Sequence, residues 1–125
     1  MNPDFQKIGE AFVEHYYKMY DSGMKDALLS LYHDTSLLTF EGDQKQGNVS
    51  IVEKHKLITS KTAHAVTTID CQPMLNGSVL VNVLGQLKSD DDKPLPFTQT
   101  FVLSPSPEGG FLIMNETFRL ALHNF

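Results

Sequence analysis

The sequence predicts an α+β domain in which N-terminal helices pack on one face of a strongly bent antiparallel sheet. Before Ala63 the apolar residues recur at helical spacing, and from Ala63 onward they alternate as in half-buried strands. The alternating segments are separated by "LNG", "SDDDKP" and "PSPEGG", which are turn compositions. Because the chain has 125 residues and no repeat or linker, we expect one domain spanning 1–125.

Three helices and one strand are predicted in the first half of the chain. The segment "NPDFQKIGEAFVEHYYKMYDSG" has an apolar stripe at helical spacing, with Asn2 as its cap and Pro3 at its first position. A shorter helix is predicted in "KDALLSLY", and a third in "GNVSIVEKHKL" with Asn48 as its cap. Between them, "SLLTFEG" (36–42) predicts a strand. The stripe of the first helix comprises Phe5, Ile8, Phe12, Tyr16 and Met19.

Four long strands are predicted in the second half: "AHAVTTIDCQP", "SVLVNVLGQLK", "PFTQTFVLS" and "GFLIMNETFRLAL". In the third of these, Phe97, Phe101 and Leu103 are expected to oppose Thr98, Thr100 and Val102. In the last, one side is expected to carry Leu112, Met114, Phe118 and Leu120, and the other Phe111, Ile113, Thr117 and Ala121. One side suits a core packed on the helices. The other is too apolar and too neutral for a fully solvated sheet, so we expect a homodimer joined through the sheets.

Composition disfavours several classes of protein. The net charge is −5 and no basic block occurs, so no nucleic-acid partner is expected. The apolar runs are too short to span a bilayer, so no membrane insertion is expected. A single cysteine, Cys71, cannot form an internal disulfide and is typical of a reducing, intracellular compartment.

No motif predicts a metal ion, a cofactor or a catalytic nucleophile. The stretch "DDDK" lacks the ligand spacing of a calcium loop, and no nucleophile elbow or phosphate loop occurs. The histidines lack the spacing of a zinc site; they are His15, His33, His55, His64 and His123. One enzymatic alternative remains, in which Tyr16 or Tyr17 forms an acid–base pair with His64 or Asp70 inside a pocket.

Acidic residues stand beside aromatic and aliphatic residues at two predicted strand ends. Glu41 follows Phe40 at the end of "LLTFE", and the aspartates of "SDDDKP" precede Leu95 and Phe97. Such acids serve either as a solvated rim over an ordinary core or as the charged rim of an apolar socket that binds a basic partner. The residues alone leave both interpretations open.

Six stretches, in order along the chain, resemble the nuclear transport factor 2 family: "FVEHYYKMYD", "LLTFEGDQKQG", "IVEK", "DCQP", "GQLKSDDD" and "NETFRLALHNF". The resemblance implies a cone-shaped α+β roll and a homodimer. It also implies a carrier, not an enzyme, which binds the small GTPase Ran in its GDP form and Phe-x-Phe-Gly repeats of nucleoporins. Such a carrier is expected in cytoplasm and nucleus, concentrated at the nuclear envelope.

The same resemblance implies roles for individual residues. Glu41, Asp90 and Asp92 would pair with basic residues of Ran around a cavity. That cavity would be lined by Phe40, Leu95, Phe97 and Phe118, with His64 nearby. Phe5 would contact the nucleoporin repeats, and Thr117 would lie in the dimer interface. Two alternatives remain: a pocket enzyme of the isomerase or dehydratase type, and an adaptor subunit of an export factor.

Overall fold

The computed structural model describes residues 1–122, so His123–Phe125, the end of the "FRLALHNF" stretch, lie outside the described residues. Two α-helices, two 3₁₀ helices and six strands follow one another along these residues. The order is α1 (Phe5–Asp21), a 3₁₀ helix (Lys25–Leu31), β1 (Tyr32–Phe40), β2 (Asp43–Gln46), α2 (Asn48–Lys56), β3 (Thr62–Pro73), a second 3₁₀ helix (Leu75–Gly77), β4 (Val79–Ser89), β5 (Leu95–Pro105) and β6 (Phe111–Leu120).

The strands form one six-stranded sheet in the order β2-β1-β6-β5-β4-β3, and α1 packs against β3 and β4. The predicted α+β class, with helices first and a bent sheet after them, is confirmed. One detail differs, because β1 and β6 are parallel while the other neighbours are antiparallel. These two strands are far apart in sequence, so no hairpin constrains them to run in opposite directions. Register shifts in three of the strand pairs accompany the bend.

Both predicted helix caps are misplaced by one or two residues. The side chain of Asn2 accepts a hydrogen bond from the N–H of Asp4 (2.9 Å), so it closes a turn before α1, which begins at Phe5. At α2 the N-cap is Gly47, whose φ of 88° favours glycine, and Asn48 is already the first helical residue. The helix predicted in "KDALLSLY" is a 3₁₀ helix, and its last residue instead begins β1.

The polar strand β2, "DQKQ", was not predicted, because none of its residues favours a strand and their side chains are mostly exposed. It forms through a two-residue turn in which both Glu41 (φ 51°) and Gly42 (φ 86°) are left-handed, as a hairpin turn requires. Backbone pairing with β1, from Phe40–Asp43 to Leu37–Gln46, then defines the strand. This turn places Glu41 directly beyond the end of β1.

Strand β5 has the predicted faces, but β6 does not. The register of β6 against β5 slips at Met114, which is the extra residue of a bulge. Ile113 is buried before the bulge, and Glu116 and Phe118 are buried after it. Odd-numbered residues therefore face the core before the bulge, and even-numbered residues face it afterwards. The prediction that Leu112 and Met114 share a side with Phe118 is wrong. Beyond the bulge, Thr117 and Phe118 do point to opposite sides.

The most deeply buried face of α1 lies beside the predicted stripe and is formed by Gly9, Val13, Tyr16, Tyr17 and Tyr20. Of the predicted stripe only Tyr16 is fully buried, and the other members pack partly buried against the core. Gly9 explains the shift, because a Cβ at this position would collide with the sulfur of Cys71 on β3. The missing side chain lets α1 lie close to the sheet.

Gly85 offers a test of how tightly the sheet packs. A Cβ on Gly85 would collide with the carbonyl oxygen of Ala65 and lie 3.0 Å from the ring of Phe97. We expect Gly85→Ala to lower the free energy of unfolding by about 1–3 kcal/mol, measured by urea titration. Lys88→Ala, at an exposed position of the same strand, is the matched control and should change it little. Equal unfolding midpoints for the two variants would contradict this packing.

Candidate functional site

A cavity of about 190 Å³ opens at the end of the sheet where β1, β4 and β6 finish and β3 begins. Its apolar lining consists of Phe40, Ile58, Leu87, Phe118 and Leu120. Its polar lining consists of Tyr16, Tyr20, Glu41, His55, Thr62, His64, Ser89 and Gln99. An apolar cavity of about 150 Å³ holds benzene, so this one has room for one aromatic ring.

The predicted aromatic residues form a stack at this cavity, although not all of them line it. The rings of Phe40 and Phe118 stack at 4.7 Å, and Phe118 stacks on Phe97 at 5.5 Å. Phe40, Phe118 and His64 line the cavity. Phe97 is fully buried and supports Phe118, and Leu95 lies at the same end of the sheet; neither is among the lining residues. The expected lining is therefore only partly reproduced.

Glu41 lies at the mouth of the cavity and is held there by the backbone of β6. Its N–H donates to the carbonyl of Phe118 (3.0 Å), and its carboxylate accepts a hydrogen bond from the N–H of Leu120. The residue is exposed and has a left-handed backbone, which orients it beyond the strand end. The position of this carboxylate is thus set by the hairpin turn and by β6.

The aspartate turn lies next to the cavity without lining it. Ser89 lines the cavity, and Asp90 and Asp92 follow it as exposed residues. Asp90 exchanges two hydrogen bonds with Lys61: its carboxylate accepts from the N–H (2.8 Å), and its own N–H donates to the carbonyl (2.7 Å). The N–H of Asp92 donates to Ser89 (3.0 Å). All three predicted acids therefore lie at one end of the sheet.

His64 is fixed in orientation by Asp21 and Tyr17. One Asp21 oxygen contacts Nδ1 of His64 at 2.6 Å, and the other accepts from its backbone N–H at 2.9 Å. Burial would raise the pKa of Asp21, but the hydrogen bonds and charge of His64 and a hydrogen bond from Thr62 outweigh burial and lower it. The ring of Tyr17 stacks on His64 at 4.3 Å. Tyr17 and His64 thus meet by their ring faces, a geometry that does not suit proton transfer.

A buried polar network, which sequence reasoning missed, lies below the cavity and includes all four tyrosines of the chain. Its centre is Glu116, whose carboxylate accepts hydrogen bonds from Tyr16 (3.0 Å), Tyr32 (2.5 Å) and Gln99 (2.6 Å). Tyr17 donates in turn to the oxygen of Gln99 (2.6 Å). Burial raises the pKa of Glu116 to about 7, although these hydrogen bonds act in the opposite direction.

The network continues from Tyr32 to His55 on α2. Burial, and to a smaller extent nearby Lys25, His64 and Lys54, lowers the pKa of His55 to about 3, so its ring is neutral. Because the Tyr32 hydroxyl donates to Glu116, it accepts from Nε2 of His55 (3.1 Å), and Nδ1 then accepts from Tyr20 (3.0 Å). Among residues 1–122 no buried side-chain nitrogen or oxygen lacks a partner.

Three further features of the described residues concern metal binding, the cysteine thiol and membrane-spanning helices. No three His, Cys, Asp or Glu side chains among these residues come together in a way that could hold a metal ion. Burial raises the pKa of the Cys71 thiol to about 11, so the group is a thiol at neutral pH. No described helix is both long and apolar enough to cross a membrane.

Two remaining predicted residues lie away from the cavity. Phe5, at the start of α1, is partly buried and packs against the core. Thr117 is exposed on the outer face of the sheet, next to Thr39 and Thr100 on the neighbouring strands. This outer face is partly apolar in the region around Thr117, and Arg119 opposite Thr98 is a charged member of it. It includes Leu80, Leu84, Thr98, Val102 and Leu112.

Fold and site together define an α+β roll whose open end carries an aromatic-lined cavity with acidic residues at and beside its mouth. The nuclear transport factor 2 domain matches residues 8–120, and the chain belongs to that family.

Proteins from distant organisms are similar to this chain over nearly its whole length. A Caenorhabditis elegans protein named "Probable nuclear transport factor 2" is 45% identical over 98% of this chain and 97% of its own. The structure of nuclear transport factor 2 from Cryptosporidium parvum has a TM-score of 0.92 and 42% identity, covering 96% of this chain and 97% of its own. The yeast Ubp3-associated protein Bre5 has a TM-score of 0.82 at 26% identity, with 94% and 97% covered. The same fold therefore also occurs in a protein that associates with Ubp3.

The buried carboxyl group of Glu116 leads to a prediction about pH. Its pKa rises from 4.5 in the unfolded chain to about 7, so the folded protein retains a proton that the unfolded chain releases between these values. The resulting stabilisation is fully present below pH 4.5 and is lost as the pH rises through about 7. Relative to Glu116→Gln, which cannot titrate, the wild type should lose about 1.4 kcal/mol of unfolding free energy per pH unit in that window.

Urea titrations of both proteins at several pH values measure this difference. Comparison of Glu108→Gln, at an exposed loop position, with the wild type supplies the control and should give a difference that does not change with pH. A flat difference for Glu116→Gln as well would mean that Glu116 stays ionised throughout.

Proposed function

We propose that this protein is a nuclear import carrier that binds Ran in its GDP form. The observation that carries the proposal is a cavity with room for one aromatic ring, with Glu41 at its mouth and the turn of Asp90 and Asp92 beside it. Membership of the nuclear transport factor 2 family, and the names of full-length relatives, support the same assignment.

Binding combines burial with charge pairing. An aromatic side chain of Ran enters the cavity, and burying it contributes about 1.5–3 kcal/mol. Basic residues of Ran pair with the three acids, which favours the correct partner and speeds its arrival. The carboxylates of Glu41 and Asp90 are already oriented by backbone N–H groups, so little side-chain entropy is lost on binding.

Selection of the GDP form needs no contact with the nucleotide. A segment of a GTPase that changes conformation with the nucleotide presents its aromatic and basic side chains in one state and withdraws them in the other. The carrier then discriminates through its different affinities for the two conformations. The cavity and the acids beside it support this proposal.

Two further contacts complete the proposed carrier. Phe5 contacts Phe-x-Phe-Gly repeats of nucleoporins, and its partly buried ring keeps an apolar surface for weak, rapidly released binding. A second copy of the chain covers the outer sheet face around Thr117, which gives a homodimer. Such a protein moves between cytoplasm and nucleus and is concentrated at the nuclear envelope.

A pocket enzyme is a weaker proposal for this chain. Glu116, the acid with the raised pKa, is fully buried, does not line the cavity and already accepts three hydrogen bonds. Tyr16 and Tyr17 donate to Glu116 and Gln99 and not to His64. The acid at the cavity, Glu41, is exposed at the mouth, where docking and not proton transfer is favoured.

Isothermal titration against Ran loaded with GDP, and then with a non-hydrolysable GTP analogue, tests the function. We expect binding to the GDP form alone. Glu41→Lys should weaken that binding by roughly 2–5 kcal/mol, because one partner of a desolvated charge pair is replaced by a like charge. Glu108→Lys makes the same charge change in a distant loop and should bind normally. Binding to neither nucleotide form, or normal binding by Glu41→Lys, would contradict the proposal.

Thr117→Glu tests the dimer separately. It places a charge on the outer face beside Thr100, where the proposed interface would bury it, so we expect monomers in light scattering. Glu41→Lys, in the turn beyond β1 at the cavity mouth, should remain dimeric. A Thr117→Glu protein that is still a dimer would show that the interface lies elsewhere. A chain that pairs only with a related export-factor domain would favour the adaptor alternative.

A further inference from the structure

A second concave surface, the α1–β3 groove, lies between the exposed side of α1 and the edge strand β3. Its volume is about 820 Å³, within the range of established ligand sites. Four of its lining residues are apolar or aromatic: Val13, Tyr17, Val66 and Ile69. Because β3 is the last strand of the sheet, the groove has a strand edge as one of its walls.

Side chains of α1 occupy this edge at both ends. At one end Asp21 accepts a hydrogen bond from the N–H of His64 (2.9 Å). At the other end Gln6 donates to the carbonyl of Ile69 (3.1 Å) and accepts from the N–H of Cys71 (3.3 Å). The two side chains thus take the places that a neighbouring strand would fill.

The middle of the edge is open. Val66 is two residues beyond His64, so its N–H and C=O also point away from β4. Among residues 1–122 neither group bonds to α1, to a loop or to a side chain, and Val66 is 42% exposed. The register shifts at Thr67, which limits the free edge to a few residues. The edge therefore suits a short added strand and not a long sheet extension.

The charge around the groove selects the kind of strand. Glu10 and Glu14 are exposed on the α1 side, Asp21 lies at one end, and Lys18 is the one lysine or arginine among the groove residues. This excess of carboxylates favours a partner with positive charge and disfavours an acidic one.

We propose that the α1–β3 groove binds a short, extended, basic peptide segment of a partner protein, which pairs with β3 at Val66 as an additional strand. Its apolar side chains cover Val66 and Ile69, and its lysine or arginine side chains lie beside Glu10 and Glu14. The backbone pairing supplies affinity, and the acids supply selectivity. This binding differs from the docking of an aromatic side chain in the cavity and from recognition of uncharged Phe-x-Phe-Gly repeats.

The first test uses nuclear magnetic resonance of ¹⁵N-labelled protein with the peptide acetyl-Lys-Thr-Val-Thr-Val-Thr-Lys-amide. We expect the largest shifts at the amides of 65–68 and along the groove side of α1. A peptide with both lysines replaced by glutamate, and a Phe-x-Phe-Gly peptide, should leave these amides unshifted. Shifts elsewhere, or equal shifts with either comparison peptide, would overturn the proposal.

A second test examines the backbone pairing. In an added strand, alternate residues point their N–H groups to the β3 edge and away from it. N-methylation of the central threonine and of the valine that follows it, in two separate peptides, should therefore have unequal effects. We expect one peptide to bind about tenfold more weakly and the other to bind nearly as before. Equal binding by both would overturn strand addition.

A third test reverses a charge in the groove. Glu14→Lys should weaken binding of the lysine peptide about tenfold at low salt, and less at high salt. Glu53→Lys, at an exposed position of α2, makes the same change on another helix and should not affect it. Because Glu14 does not line the cavity, titration of Glu14→Lys with Ran in its GDP form separates the two sites. Unchanged peptide affinity in Glu14→Lys would overturn the proposal, whatever the Ran titration gives.

Discussion

The hydrogen bonds to the Glu116 carboxyl group constrain the rest of the structure. A carboxyl group buried in an aromatic core is tolerated only where donors surround it. Here Tyr16 of α1, Tyr32 of β1 and Gln99 of β5 provide them, and Tyr32 links the group to His55 of α2. Each helix and strand that contributes a donor is thereby fixed relative to β6. A purely apolar core would permit small sliding movements that this network prevents.

The same network defines the chemistry of the cavity above it. Tyr16, Tyr20, His55 and Gln99 contribute to the cavity lining, yet their polar atoms are bonded to one another and to Glu116. On the side formed by these four residues, an entering group therefore meets mainly ring faces and aliphatic carbon. Selection of a partner by its charge therefore takes place at the mouth of the cavity, where Glu41 is exposed. This separation of an apolar interior from a charged rim suits docking of a partner side chain.

Sequence periodicity predicted the elements whose pattern is set by one buried face, such as β3 to β6. It could not predict β2, whose polar residues form a strand only because the left-handed turn at Glu41 brings them beside β1. Nor could it predict the bulge at Met114, which moves Glu116 into the core. Glu41 and Ser89 meet at one cavity although they are far apart in sequence. Spacing contains no information on such a contact, and only the family resemblance pointed to it.

The cavity and the α1–β3 groove share one residue, and this has a thermodynamic consequence. His64 lines both surfaces, with its orientation fixed by Asp21, which also borders the groove. A peptide in the groove that alters the contact between Asp21 and His64 changes the cavity wall as well. Linkage then requires that occupation of the cavity change the peptide affinity by the same factor. A peptide that leaves this pair undisturbed binds independently of the cavity, so the conformation of His64 decides whether the two surfaces act as one system.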